Sequence, residues 1–175
     1  MNRSVTKEMR DMATDISKWR IKKEYDRYGF DYNVRVDRII VGLIGELVFK
    51  AALEEADIQF ETSFGTVGYD KYDFKINNKI YDIKASDCNG TYKYLNLLYS
   101  EDQYQSGLIN NYDYVVQVFI DGKERGGKFN IKNCKNAVIV GYVNFCDLPK
   151  YRQEPKHYGD NYCVKLSELN KFELI

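Results

Sequence analysis

Two acids and a lysine carry the first chemical signal in this chain. Asp82 and Lys84 flank a single apolar residue in KINNKIYDIKAS (75–86), and Asp73 precedes Asp82 by nine positions in YDKYDFKI (69–76). Asn77-Asn78 separates two strand-like runs, and asparagine tolerates the left-handed backbone that a two-residue hairpin turn requires. With those residues at the tip, Ile76 faces Lys79, Lys75 faces Ile80, Phe74 faces Tyr81 and Asp73 faces Asp82. Side chains alternate along strands, so Asp73, Asp82 and Lys84 share one face while Phe74, Tyr81 and Ile83 share the other.

Directly opposed strand residues hold their Cβ atoms about 5 Å apart. Two carboxylates at that spacing repel, and one of them tends to keep its proton. A divalent cation between them reverses the sign of the interaction. Mg²⁺ suits such a pair, because it takes one or two carboxylates and completes its shell with water and phosphate oxygens. Lys84, one step further along, would neutralise a phosphate oxygen or acidify an attacking water. An isolated D-x-K triplet also occurs in ordinary solvated strands, and a one-residue slip would send Asp73 and Asp82 to opposite faces.

A third acid comes from the stretch DRIIVGLIGELVFKAALEEA (37–56), which has the strongest helical signal in the chain, with Asp37 as the expected N-cap. Glu46 interrupts its apolar stripe: Ile39, Gly42, Leu43, Phe49 and Leu53 lie three, four or seven positions away, on the same side. Either this carboxylate is buried and needs a partner, or it sits at a rim and bends to water. Gly42 and Gly45 each weaken a helix by roughly 1 kcal/mol, which makes sense where another backbone passes close by.

Composition excludes several chemistries. A single histidine, His157 in the loop-like EPKHYGDN, is all that Ser-His-Asp or Cys-His catalysis could draw on; two-histidine and HExxH sites are excluded, and GxxxxGK[ST] and GxGxxG are missing. The four cysteines at 88, 134, 146 and 163 form no CxxC pair and are expected to be free, mostly buried thiols. The formal net charge of zero argues against a histone-like basic coat but leaves room for a local basic groove. The N-terminal MNRSVTKEMRDMATDISKWR is too charged for a signal peptide, and no apolar run is long enough for a bilayer. A cytoplasmic protein without membrane contact is the expectation.

The elements that must position these residues read as one mixed α/β domain over 1–175. A helix spans 4–28, with Trp19 in the core. A second follows at 37–56, then strand-like runs at 58–64, 69–76, 79–86 and 92–99. A helix capped by Ser100 runs to about 110, an apolar central strand covers 112–121, and further strands lie at 136–145 and 161–169.

These motifs together resemble the PD-(D/E)XK nuclease superfamily, whose restriction-endonuclease-like fold is an α-β-β-β-α-β core. GLIGELVF (42–49) matches the helix acid through Glu46, YDF (72–74) the first strand acid through Asp73, and YDIKAS (81–86) the (D/E)-x-K element through Asp82 and Lys84. The residue before Asp73 is Tyr72 where the family pattern has proline, and the similarity spans 37–121. It implies a mixed central sheet flanked by helices, with the N-terminal helix and a C-terminal β extension (136–175) as additions.

The resemblance further implies a Mg²⁺-dependent DNA endonuclease of restriction or mobile-element type, with Mn²⁺ as substitute and a homodimer as the form that cuts both strands. Glu46, Asp73, Asp82 and the Ile83 carbonyl would hold the metal, and Lys84 would act on the water. A glutamine near the site would be Gln103, Gln105 or Gln117. Ser86, Lys123, Arg125 and Lys128 are expected phosphate contacts, with Lys22, Lys23, Arg35 and Arg38 as further candidates. A structure-specific repair or recombination nuclease, or a non-catalytic nucleic-acid- or protein-binding module on the same fold, is the alternative reading.

Overall fold

The computed structural model describes residues 1–22, 30–64, 72–124, 127–153 and 161–172. A short strand β1 (Asn2–Ser4) comes first, and α1 (Lys7–Arg20) follows, N-capped by Thr6, whose side chain accepts from the Met9 amide at 3.2 Å. The expected continuation of this helix to 28 lies outside the described residues beyond 22. Its buried positions are Ala13 and Ser17, and Trp19 is half-buried rather than a core residue.

Helix α2 (Tyr32–Glu55) starts a turn and a half earlier than expected. Asp31, not Asp37, is the N-cap, with its carboxylate accepting from the Asn33 amide at 2.8 Å. The apolar run begins only at Ile39, so periodicity could not see the polar first turns that the cap supports. From Ile39 to Leu53 nearly every turn of α2 is buried.

Three pieces follow: β2 (Glu61–Thr62), β3 (Phe74–Ile76) and β4 (Lys79–Cys88). The β3–β4 hairpin has the register that the sequence implies, with Phe74 opposite Tyr81, Lys75 opposite Ile80 and Ile76 opposite Lys79. Asn77 and Asn78 take φ of 49° and 61°, the paired left-handed geometry whose twist matches the flanking strands. Strand β5 (Asn96–Ser100) leads into α3 (Glu101–Asn110), where Ser100 and Gln103 close a capping box and Asn111 ends the helix at φ 56°. Then come β6 (Tyr114–Asp121), β7 (Asn136–Asn144), β8 (Arg152–Gln153) and β9 (Asn161–Lys165).

The strands form two sheets. The larger has the order β1-β7-β6-β4-β3-β2, and within it β4 and β6 run parallel while the other neighbours are antiparallel. The smaller has the order β5-β9-β8. The mixed α/β class is therefore as expected, but β5 leaves the main sheet.

Helices α1 and α2 cover one face of the large sheet, burying Phe49, Leu53, Phe74, Ile83, Val116, Val118 and Ile120 in one core. Phe49 meets Phe74 edge-on at 5.1 Å, a geometry that adds about 0.5–1.5 kcal/mol to simple burial. A second core joins Leu97 and Tyr99 of β5 and Tyr162 and Val164 of β9 to Val115, Val143, Phe145 and Leu148. Where α2 crosses β4, a Cβ on Gly45 would lie 2.5 Å from that of Ala85. Glycine is required there, as its cost to the helix suggested. Gly42 has nothing within 4 Å of such a Cβ, so close approach does not explain it.

No helix among the described residues is long and apolar enough to cross a membrane. Cys88 and Cys134 are buried free thiols, Cys163 is intermediate and Cys146 is exposed.

Candidate active site

Alternation along β4 divides its residues between two environments. Ile83 and Ala85 face α2 at the Gly45 crossing, so Asp82, Lys84 and Ser86 project to the opposite face. Asp82 is only 4 % exposed. Its Oδ1 accepts from Lys84 Nζ at 2.9 Å, and its Oδ2 accepts from the Tyr99 hydroxyl at 2.6 Å. Tyr99, itself 1 % exposed, comes from β5 in the smaller sheet, and the Lys84 ammonium lies 5.0 Å from its ring centroid. Burial first, then the charge of Asp82, pushes the Tyr99 phenol far above its ordinary range, so it stays protonated and donates.

Asp73 stands one residue ahead of β3. Its Oδ2 accepts from the Ile83 amide at 2.6 Å, tying the hairpin's open end to the D-x-K segment. Enclosure by protein raises its carboxyl well above the ordinary 3.8, and the charges of Glu46 and then Asp82 raise it further. Lys84 and the Ile83 N–H act in the opposite direction. For Lys84, burial disfavours the ammonium, but Asp82, Asp73, Glu46 and the hydrogen bond to Asp82 outweigh it and hold its pKa above 10.5. Lys84 is therefore a cation at neutral pH. It can neutralise developing negative charge or donate a proton, but it has no free pair with which to take one.

Glu46 is 7 % exposed on α2, with Arg20 of α1 at 3.7 Å from its Oε1. It is thus buried with a cationic neighbour, which decides between the two readings of its place on the apolar stripe. The structure brings Glu46, Asp73, Asp82 and Lys84 into one electrostatic neighbourhood. Yet among the described residues no three His, Cys, Asp or Glu side chains form a group that could hold a metal ion. Each acid already has a protein partner: Ile83 N–H for Asp73, Lys84 and Tyr99 for Asp82, Arg20 for Glu46. The donor set is all hard carboxylate oxygen, the chemistry that suits Mg²⁺. The Ile83 side chain is buried in the core beneath α2, so only its backbone faces this chemistry.

Parallel pairing sets Gln117 of β6 opposite Lys84, fully buried, with its amide donating to the Val118 carbonyl at 2.9 Å. Of the three glutamines considered, this one stands beside the lysine. Gln103 closes the α3 capping box, and Gln105 donates to Glu101 at the surface. Ser86, half-buried, pairs in register with Phe119.

The basic loop after β6 lies elsewhere. The amides of Gly122 and Lys123 donate to the Cys88 carbonyl at 3.2 and 2.9 Å, placing the loop at the far end of β4 from Asp82. Lys123 lies 3.6 Å from Asp87, and Lys128 is exposed. Arg125 lies outside the described residues, as do Lys23 and His157. Lys22 is exposed and Arg38 covers the Phe30 ring at 3.9 Å.

Sequence reasoning missed Tyr99 and Arg20 as partners of the acids. Nothing local marks Tyr99 among 16 tyrosines, and its role depends on a contact between two sheets. Compared with family models, with curated proteins and with solved structures, the chain matches none.

Proposed function

We propose that this chain is a metal-dependent DNA endonuclease on a restriction-endonuclease-like core, of restriction or mobile-element type. The observation that carries the reading is the Asp82–Lys84 ion pair on β4, with Asp73 from the hairpin's open end bonded to the intervening Ile83 amide and Glu46 of α2 near enough for its charge to act on both Asp73 and Lys84. Leaving aside β5, which joins the second sheet, the order α2, β2, β3, β4, α3, β6 supports the same core, with β4 and β6 as its parallel pair. The acids cluster with like charge at a cost in stability that an ordinary surface would avoid, a feature of sites shaped for chemistry.

In this reading Glu46, Asp73, Asp82 and the Ile83 carbonyl would hold Mg²⁺ or Mn²⁺, which would supply charge neutralisation on the phosphate and a water acidified for attack. Lys84 stabilises negative charge on the transferred phosphate oxygens, because its ammonium is fixed between Asp82 and the Tyr99 ring. Tyr99 fixes the Asp82 carboxylate by its hydroxyl. Arg20 offsets the charge of Glu46 inside the apolar stripe. Two copies, each with one such site, would cut both strands of a duplex.

One observation favours a second reading, a non-catalytic module that binds nucleic acid or protein. Both Asp82 oxygens are engaged by Lys84 and Tyr99, as in a structural polar cluster. Incubation with supercoiled, linear and branched DNA separates the two. Cleavage requiring Mg²⁺ or Mn²⁺, blocked by EDTA and lost in Asp82→Ala and Lys84→Ala, is the expected result. Cleavage that survives Asp82→Ala removes the site. Binding of DNA without cleavage of any form establishes the module.

A further inference from the structure

Helix α1 precedes the core that carries the acids, yet it reaches one of them. Ala13 and Ser17 are its buried positions, one turn apart, and Ile21 just past its end is buried on the same line. Small side chains at 13 and 17 let α1 lie close to α2, with which Ala13 and Ile21 share the main core. Arg20 follows Ser17 by three residues and so belongs to the same side of the helix. Its Nη1 stands 3.7 Å from Glu46 Oε1.

That separation is long for a pair whose only purpose is to neutralise a buried acid. A charge-assisted N–H···O bond closes to about 2.7–2.9 Å. The pairs Lys7–Asp11, Lys18–Asp15 and Lys150–Asp147 reach 2.7 Å even at the surface. The Arg20 side chain is 23 % exposed and that of Glu46 is 9 % exposed, so solvent reaches the arginine more than the acid beside it. A guanidinium carries five N–H donors in a planar fork, more than one carboxylate takes, and the fork matches the oxygens of a phosphate. An ion bonded to Glu46 Oε1 at about 2.1 Å would lie within about 6 Å of the Arg20 nitrogen. Two cations that close repel unless an anion stands with them, and the anion that a nuclease brings to its ion is a phosphate of the strand.

We propose that Arg20 is a phosphate-binding residue of the site, taking the oxygens of a strand phosphate from the Glu46 side as Lys84 does from the Asp82 side. The assignment deepens the nuclease reading and rests on it for the ion and the phosphate. Helix α1 is then part of the substrate-binding machinery and not only an addition to the core. Its close packing on α2 fixes where the guanidinium can reach.

The test is the salt dependence of DNA binding, read by fluorescence anisotropy of labelled duplex and single-stranded oligonucleotides. It uses the full chain with Mg²⁺ in a Lys84→Ala background, so that no cleavage is needed. Each phosphate contact contributes about 0.9 to the slope of log K against log[KCl] on duplex DNA and about 0.7 on a single strand. Arg20→Gln should lower the slope by that amount. Lys18→Gln, on the same helix and paired with Asp15, should leave it unchanged. An arginine with a structural role alone would change Tm and not the slope. Arg20→Lys keeps a cation beside Glu46 and serves if Arg20→Gln does not fold. It should keep the slope and bind about tenfold more weakly, the loss of one charge-assisted hydrogen bond of the fork. No binding of DNA, an unchanged slope in Arg20→Gln, or full affinity in Arg20→Lys overturns the contact. A lowered slope in a protein whose wild type cuts no DNA keeps the contact and removes the nuclease. Metal-dependent cleavage by the wild type with an unchanged slope does the reverse.

Discussion

Replacing Tyr99 by phenylalanine isolates one hydroxyl at the centre of the candidate site. The ring is 1 % exposed and packs edge-on to Phe145 at 6.0 Å, and phenylalanine keeps both that contact and the face presented to Lys84. What is lost is a 2.6 Å hydrogen bond to a carboxylate whose side chain is 6 % exposed, so solvent screening is slight. Hydrogen bonds to charged groups contribute about 1.5–3 kcal/mol. Asp82 retains Lys84 at 2.8 Å, which places the expected loss in the lower half, about 2 kcal/mol. For a chain of this length that is a fall in Tm of about 4–8 °C. Urea and thermal unfolding of wild type, Tyr99→Phe and Tyr94→Phe read it, the last a control at a residue 90 % exposed. A double-mutant cycle with Asp82→Asn should give a coupling above about 0.5 kcal/mol, the limit for independent sites. Additive effects, or a Tyr99→Phe shift no larger than the control's, would refute the contact and with it the placement of β5 over β4.

Asp73→Asn keeps an acceptor for the Ile83 amide but removes a carboxyl whose pKa is raised, so it should stabilise the fold at neutral pH while abolishing cleavage; a destabilised variant refutes the crowding of charge. The sign of the pH dependence follows from the same shift. The folded value exceeds the unfolded 3.8, so this contribution is fully present below 3.8 and is lost as pH rises through the folded value; stability against pH should flatten in Asp73→Asn. Gly45→Ala should destabilise, because overpacking against Ala85 at about 1–3 kcal/mol exceeds the helix-propensity gain of about 1 kcal/mol, whereas Gly42→Ala should stabilise by about 1 kcal/mol; equal signs in urea unfolding would remove the close crossing of α2 over β4. MgCl₂ at 100 times its Kd should raise stability by about 2.7 kcal/mol in wild type and not in Asp73→Asn, and an unchanged Tm on adding or chelating the ion counts against a metal site.

Local signals were enough wherever neighbours in sequence are also neighbours in space. The Asn77-Asn78 turn and the alternation of Phe74, Tyr81 and Ile83 against Asp73, Asp82 and Lys84 specified the hairpin register, because a one-residue slip would turn the charges into the apolar core beneath α2 and the rings away from it. The apolar period placed α2 and marked Glu46 and Gly45 as anomalies needing partners. Helix boundaries were less legible: the polar turns from Tyr32 to Arg38 carry no period, and a cap at Asp31 extends the helix through them. Only the tertiary structure decided that β5 joins a second sheet and delivers Tyr99 to Asp82, that Arg20 reaches Glu46 from another helix, and that Gln117 stands beside Lys84. These contacts join residues 17 to 33 positions apart, and their partners are selected by which apolar faces can be covered together. Turn chemistry and periodicity act over a few residues; the choice of what packs on what is made by the whole chain at once.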